Sequence, residues 1–322
     1  MDRKTQLTKI IPDLMNDWNN YKKGLKGLKI TNWCISSDYC FDDPNKLDVA
    51  TFTIFPVDCM PKLHEEILKQ LPKDIKNITH VSDSVIKFIK ESKYFFSISV
   101  IIDNLKYAFN EQEAIKQFED VLNYYNNLTD EQKTPEILDK ARRFIKFYNY
   151  VKQKSHSKKL LAQIYFVARF VSQIFEFLLV KENGKIPHWC SDRDDMASFS
   201  DGFIFYLLNI YVYHFVNKRV DNYWLCLPPE IKENNQNYPY DPFIRIPDII
   251  TGALSSLVMT SKGLTCQKEK HYALLSESIT NNPHMIILYY KFNKDGIASG
   301  SRMFFETSDT CPLLRYNKEL HI

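Results

Sequence analysis

Glycine is scarce in this sequence, with 8 residues in a chain of 322. Phosphate-binding loops and dinucleotide-binding turns need several glycines at fixed spacing, and neither a GxxxxGK[ST] nor a GxGxxG pattern occurs. The HExxH pattern of zinc peptidases and the GxSxG pattern of serine hydrolases are also absent. These absences exclude the nucleotide-binding proteins and hydrolases that such motifs mark.

Cysteine pairing and long apolar runs are lacking as well. The seven cysteines are scattered and no CxxC occurs, which fits a reducing compartment better than a disulfide framework. The N-terminus has no apolar signal-peptide core. The longest apolar run, residues 203–216, contains Asn209 and His214 and is too short for a membrane span. We therefore expect a soluble cytoplasmic protein with no membrane partner.

Charge of one sign is not in large excess either, because the formal net charge is only +3. Contact with nucleic acid would therefore depend on a local patch. The best candidate is the basic and aromatic stretch 140–152, where Arg142, Arg143, Lys146 and Lys152 could contact a phosphate backbone. An ordinary amphipathic helix with a solvated basic face is the competing interpretation.

The first third of the chain predicts strands. Hydrophobic residues make up 44% of the sequence, enough for a full core. Alternation predicts a strand over 29–38, turn residues follow at 41–46, and residues 49–57 form a second strand, so the two should pair as an antiparallel hairpin. The apolar run 94–103 predicts a strand buried on both faces. Helices are predicted before the first strand and between the second and third strands.

The middle of the chain predicts helices. Residues 104–182 show helical patterns throughout, and the stretch 159–180 is apolar on nearly every side, which predicts a central buried helix. A short apolar segment then runs into an acidic turn, followed by a second apolar helix over 199–216. A further helix is expected from about Pro247 to Met259. Segments near 286–292 and 302–306 could be strand or helix. The pattern as a whole predicts an α/β fold.

The candidate chemical groups are acids at the ends of strands and the starts of helices. Asp38 closes the first predicted strand, Asp192 and Asp194 follow a short apolar segment, and Asp248 opens a late helix. Carboxylates that converge from separate elements can hold two Mg²⁺ or Mn²⁺ ions, which clamp the attacking and leaving oxygens of a phosphodiester. A first-strand Asp, a later-strand acid and a helix-borne Asp also occur in this order in the RNase-H-like fold.

Each acid also has a plainer interpretation. Asp248 could be an N-cap, whose side chain accepts a hydrogen bond from a free backbone N–H. Asp38 could simply begin a turn. Asp192, Asp194 and Asp195 could form a capping turn for the next helix.

A resemblance to a known family adds to these observations. The segment 244–254 carries apolar residues, Asp248, two aliphatic residues, a small residue, Gly252, Ala253 and an apolar residue. This pattern resembles the closing motif of a bacterial RNase-H-like family catalogued as domain of unknown function 3800. The strand–turn–strand layout that begins near Asp38 is similar too. The resemblance implies one RNase-H-like domain over residues 1–322, with a mixed sheet flanked by helices and a large helical insertion at 104–182.

The resemblance also implies a function. Asp38, Asp192 and Asp248 would be catalytic residues of a metal-dependent nuclease, and would hold Mg²⁺ or Mn²⁺ with Asp194 as a substitute ligand. The substrate would be DNA or RNA, and a protein partner in a bacterial anti-phage defence complex is a further expectation. The family usually has Asp-Glu-Ser-Gly after the first strand, whereas this chain has Asp38-Tyr39-Cys40-Phe41. A catalytically inactive binding or assembly module is therefore the alternative.

Overall fold

The structure is a computed structural model, and its helices and strands form an α/β fold with one mixed sheet covered by helices on both faces. The described residues are 6–11, 13–153, 157–182, 187–192, 194–216, 240–260, 263–296, 298–308 and 311–319. The predicted α/β class and the mixed sheet flanked by helices are confirmed.

Across the described residues, the strands are joined in the order β4-β1-β2-β3-β7-β8-β9-β6-β5. Their bounds are β1 (Trp33–Cys40), β2 (Asp48–Pro56), β3 (Phe96–Asp103), β4 (Pro187–Ser191), β5 (Leu257–Thr260), β6 (Gly263–Cys266), β7 (Met285–Phe292), β8 (Ala298–Ser308) and β9 (Cys311–Glu319). The two late segments that the sequence left open, in β7 and β8, are therefore strands.

Among the described residues, two α-helices precede the first strand and the others lie in connections between strands. Their bounds are α1 (Gln6–Ile10), α2 (Leu14–Gly24), α3 (Met60–Gln70), α4 (Asp83–Glu91), α5 (Glu111–Asn126), α6 (Pro135–Lys152), α7 (Lys158–Lys181), α8 (Asp195–Val216), α9 (Asp241–Ser255) and α10 (Glu269–Leu274). The helical character predicted for residues 104–182 is confirmed in its described part.

The first two strands form the predicted antiparallel hairpin, with Asp38 opposite Thr51. Strand β4 pairs with the other edge of β1 in parallel, and Ser37 stands opposite Ser191. Because parallel strands end at the same edge of a sheet, the residues that follow Ser37 and Ser191 come together there. The hairpin was predicted to begin at residue 29, but β1 begins at Trp33 and continues to Cys40, so Asp38 lies within the strand.

The two faces of the sheet are covered by different helices. Phe52 stacks on Phe170 of α7 at 4.9 Å, while Phe55, on the opposite side of the same strand, stacks on Phe243 of α9 at 5.1 Å. Successive side chains of a strand alternate between faces, so odd and even positions of β2 meet different helices. Asp38, which pairs with Thr51, therefore lies on the face that α9 covers.

Helix α7 is the central helix that its apolar sequence predicts. Among the described residues it is the one helix long and apolar enough to cross a membrane, with a mean hydropathy of 1.4, yet 89% of that stretch is buried inside the protein. Burial of this extent is what the core helix of a soluble protein shows.

Two helix boundaries differ from their predictions. Helix α9 begins at Asp241 and ends at Ser255, so Pro247 lies inside the helix. The end of the predicted helix instead falls in strand β5, Leu257–Thr260. Prolines favour first turns, which is why Pro247 suggested a helix start. Instead, buried residues on both sides of it, including Phe243 and Ile250, keep this segment helical.

Helix α8 begins at Asp195, four residues before its predicted start at 199. Backbone angles leave the helical region at Phe199, and Ser200, Asp201 and Gly202 all have positive φ before the helix resumes. The sequence pattern located the long apolar part of this helix and missed the short first turn.

Candidate functional site

Asp38 and Asp192 are brought together by the parallel pairing of β1 with β4. Ser37 and Ser191 are register partners, and the backbone N–H of Asp192 donates to the carbonyl of Ser37 at 3.0 Å. Asp38 and Asp192 each follow one of these partners, so they stand side by side where β4 ends. Strand pairing alone therefore places two acids together that are far apart in the sequence.

Asp248 joins them from helix α9, which packs on β1 and β2. The hydroxyl of Thr251 donates to the carbonyl oxygen of Asp38 at 3.4 Å. Residues three apart share one face of a helix, so Asp248 lies one turn away on the side that faces Asp38. Three acids from two strands and one helix thus share one region of the sheet face.

The charges of these acids act on one another. The pKa of Asp38 is raised well above its usual range, first by burial and then by the carboxylates of Asp248 and Asp192. A hydrogen bond from Thr251 and the ammonium group of Lys76 oppose this rise. Such mutual repulsion requires that the carboxylates be close, as the strand register places them.

The pKa of Asp248 is raised to about 6, chiefly by burial and then by Asp74. Lys76 and a hydrogen bond from the backbone N–H of Ile75 act in the opposite direction, and Asp192 adds a smaller upward contribution. Asp248 therefore exchanges its proton near neutral pH.

Lys76 lies in a 3-10 turn, Ile75–Asn77, that the sequence does not predict, and Asp74 caps this turn by accepting the backbone N–H of Lys76. A Cβ on Gly252 would lie 3.3 Å from Ile75, so glycine lets this turn approach α9 closely. The sequence does not indicate which segment approaches Gly252. On the other side, the buried ammonium group of Lys270 donates to the carbonyl oxygens of Ile75 at 2.7 Å and Ile78 at 2.6 Å.

The N-cap interpretation of Asp248 is wrong, because α9 begins seven residues earlier and its N-terminal flanking residue is Tyr240. The capping interpretation holds instead for Asp194. Its Oδ1 accepts the backbone N–H of Ala197 at 2.7 Å in the first turn of α8. Burial raises the pKa of Asp194 to about 6, and Asp192 adds to this rise. Asp194 thus adjoins the three acids while serving as a cap.

The donors suit a hard divalent cation, because carboxylate oxygens are the ligands that Mg²⁺ and Mn²⁺ prefer. Cation binding would also relieve the repulsion that raises the pKa values of Asp38 and Asp248. Within the described part of the chain, however, no group of three or more His, Cys, Asp or Glu side chains is arranged to hold a metal ion. The acids are therefore within electrostatic reach of one another without forming a compact set of ligands.

The predicted basic patch lies on α6, where most of its charges are paired with acids. The Nε of Arg143 donates to Asp139 at 2.9 Å, and the ammonium group of Lys146 lies 3.5 Å from Asp201. Lys152 lies 3.9 Å from a carboxylate oxygen of Glu119. The first pair lies within α6, and the other two join α6 to α8 and α5.

Arg142, the fourth predicted basic contact, is exposed on the same helix. Since Arg143, Lys146 and Lys152 all have acidic neighbours, the positive charge that α6 offers to a polyanion is smaller than the sequence suggests.

Comparisons with models of known protein families, with curated proteins and with solved structures found no match. The resemblance to the RNase-H-like family therefore stays a hypothesis that rests on the residues quoted above.

Proposed function

We propose that this protein is a metal-dependent hydrolase of nucleic-acid phosphodiesters with an RNase-H-like arrangement of catalytic acids. The observation that carries this proposal is the meeting of Asp38, Asp192 and Asp248 on one sheet face, from three elements far apart in the chain. Acids on two adjacent parallel strands and one helix are the arrangement expected of that fold. The helical segment 104–182 would be its insertion.

In this proposal Asp38, Asp192 and Asp248 hold Mg²⁺ or Mn²⁺, and Asp194 can substitute for Asp192. An ion held by these residues would supply the Lewis-acid chemistry that phosphodiester hydrolysis needs. Neighbouring residues position these acids: Thr251 donates to the backbone carbonyl of Asp38 at 3.4 Å, and the backbone N–H of Ile75 donates to Asp248.

The substrate would be DNA or RNA. Lys76 lies near Asp38 and Asp248, where its charge suits a phosphate group beside the reacting centre. Arg142, Arg143, Lys146 and Lys152 would supply weaker, more distant backbone contacts. A cytoplasmic location and a protein partner in a bacterial defence complex belong to the same proposal and depend on the family resemblance.

A second candidate function is a binding or assembly module that keeps the fold without the metal. Two observations favour it. Tyr39 stands where the family has a second acid directly after Asp38, and Lys76 already supplies positive charge to Asp38 and Asp248. In this case Lys76 would partly neutralise the acids in place of a cation.

Calorimetric titration with Mn²⁺, combined with a cleavage assay on single-stranded and duplex DNA and RNA, tests the two candidates. We expect the native chain to bind Mn²⁺ and to cleave at least one substrate, and Asp248→Asn to lose both while remaining folded. Removing a metal ligand leaves fewer oxygen donors for the ion. Cleavage that Asp248→Asn leaves unchanged would contradict the nuclease.

Asp48→Asn is the matched control. The pKa of Asp48 is also raised to about 6, but by burial, with no contribution from another carboxylate. It lies three residues before Thr51 on β2 and therefore on the opposite face from Asp38. The control should bind Mn²⁺ and cleave like the native chain. Absence of Mn²⁺ binding in the native chain would favour the assembly module.

A further inference from the structure

A second concave site lies on the face of the sheet that α7 covers. It is a cavity of about 380 Å³ between α7 and strands β7 and β8, with residues of α5 and α8 at its rim. Phe166 and Phe170 of α7 and Phe292 of β7 supply its aromatic walls. The ring of Tyr290 meets Phe166 at 6.4 Å and Phe170 at 6.2 Å, both edge to face. Flat apolar walls of this kind suit an aromatic ring.

The cavity also contains buried polar atoms without partners. The hydroxyl groups of Tyr165 and Tyr290 and the Oε1 of Gln173 make no hydrogen bond within the described residues. The three side chains are only 7%, 7% and 9% exposed, in that order. A buried polar atom without a partner costs free energy, and native proteins rarely leave three together. Two hydroxyls and one amide oxygen thus lack hydrogen-bonding partners, which a ligand in the cavity would supply.

One cation and one acid stand at the cavity. Arg169 of α7 lines it, and among the described residues no carboxylate lies within 4 Å of its guanidinium group. Arg169 is exposed at the mouth of the cavity. Burial raises the pKa values of Tyr211 and Tyr290, and the charge of Arg169 opposes both shifts, so its guanidinium group lies near both tyrosines. Glu113 of α5 lines the cavity too and raises the pKa values of Tyr165 and Tyr211.

We propose that this cavity binds a small molecule that joins a flat heteroaromatic ring bearing N–H groups to one anionic group, the chemistry of a purine nucleoside monophosphate. The ring would pack in the corner that Phe166 and Phe292 form, whose rings meet edge to face at 6.1 Å, and its amino group would donate to the Oε1 of Gln173. The phosphate would pair with Arg169. Glu113 would disfavour additional phosphates, and a volume near the lower end of the usual range for ligand pockets fits one nucleotide better than a larger ligand.

This site is separate from the carboxylates and does not depend on the proposed nuclease function. Register partners run from Asp38 through Thr51 and Ser99 to Ile287 across the sheet. Tyr290 lies three residues beyond Ile287 on β7, so its side chain is on the opposite face. Three strand spacings, about 14 Å, also separate β1 from β7.

Isothermal titration of the full-length protein with AMP, adenosine and inorganic phosphate tests the proposal. We expect AMP to bind at one site, and adenosine to bind at least about tenfold more weakly because it lacks the group that pairs with Arg169. Phosphate alone should bind more weakly still, since it cannot fill the aromatic walls. Arg169→Gln should reduce the affinity for AMP to that for adenosine.

Tyr290→Phe separates a ligand-binding role from a structural one. Its hydroxyl has no partner among the described residues, so removing it should leave the melting temperature unchanged or higher without ligand, while weakening AMP binding several-fold. Lys90→Gln, which removes an exposed cation on α4, is the matched control and should bind AMP like the native chain.

Three results would overturn the proposal. One is the absence of AMP binding by the native chain. Another is AMP binding that Arg169→Gln and Tyr290→Phe leave unaltered, which would place the ligand elsewhere. The third is equal affinity for adenosine and AMP, which would show that an anionic group contributes nothing to binding at this site.

Discussion

At the scale of single residues, the protonation of buried carboxylates is the feature with the clearest consequence. Asp38 and Asp248 both have raised pKa values because they are buried and because other acids lie near them. A carboxyl group whose pKa is higher in the folded than in the unfolded chain binds more protons when folded. The folded state therefore loses stability as the pH rises through the interval between the two pKa values.

For Asp248 this interval runs from about 4, the ordinary value, to about 6. We predict that Asp248→Asn unfolds with a free energy roughly 2 kcal/mol higher than the native chain at pH 7 and without added metal. The difference should vanish below about pH 3, where the carboxyl is protonated in both the folded and the unfolded chain. Urea denaturation at several pH values measures it.

Asp48→Asn calibrates this measurement, because burial alone raises the pKa of Asp48 to about 6. Asp48→Asn should also flatten the pH dependence of the unfolding free energy. The effect should be smaller than that of Asp248→Asn, which additionally removes a charge that acts on Asp38. Equal flattening by the two variants would contradict the interaction between Asp38 and Asp248.

At the scale of secondary-structure elements, the break in α8 shows how backbone conformation selects residue type. Ser200, Asp201 and Gly202 have φ values of 48°, 60° and 76°. The left-handed region is unfavourable for residues with a Cβ, so this break carries strain at its first two positions and needs glycine at the third. The break directs the long part of α8 across α7 and brings Asp201 to Lys146 of α6.

We predict that Gly202→Ala lowers the free energy of unfolding by about 1–2 kcal/mol, because alanine would be forced to a positive φ. Thermal or chemical denaturation measures the change. Gly24→Ala is the control: Gly24 ends α2 with ordinary angles, and an added Cβ would lie 3.8 Å from Lys93, an ordinary contact. That variant should be neutral or slightly more stable, and a similar loss in both would contradict the role of the break.

At the scale of the whole molecule, α7 and α9 enclose the sheet between them. Helix α7 also joins α2 to the core, since Phe177 meets the ring of Trp18 edge to face at 5.5 Å. Beyond the end of α7, Glu182 accepts hydrogen bonds from the indole of Trp18 at 2.9 Å and from Lys22 at 2.7 Å. The helical segment is therefore packed into the same core as the sheet.

We predict that Phe177→Ala lowers the free energy of unfolding by about 3–5 kcal/mol, because the side chain is fully buried and its removal leaves a cavity. A single transition in which sheet and helices unfold together should be seen by circular dichroism and by tryptophan fluorescence. Leu68→Ala, on a leucine that is 52% exposed, is the control and should cost much less. Two separate transitions would contradict a shared core.

Local sequence patterns predict much of this fold. The hairpin, the doubly buried strand β3 and the apolar helix α7 follow from alternation and helical periodicity, because these patterns record which faces a segment must bury. The boundaries of α9 were missed, because tertiary packing around Pro247 outweighs the usual preference of proline for a first turn.

The sequence by itself determined the α/β class and the identity of the acids, since both depend on residue types and their local spacing. Only the tertiary structure decided which acids meet, because strand pairing and helix packing join positions more than 150 residues apart. The same is true of the Ile75–Asn77 turn beside Asp248 and of the cavity around Arg169. Proximity of this kind leaves no local pattern, since each residue would look the same in its own segment wherever that segment packed.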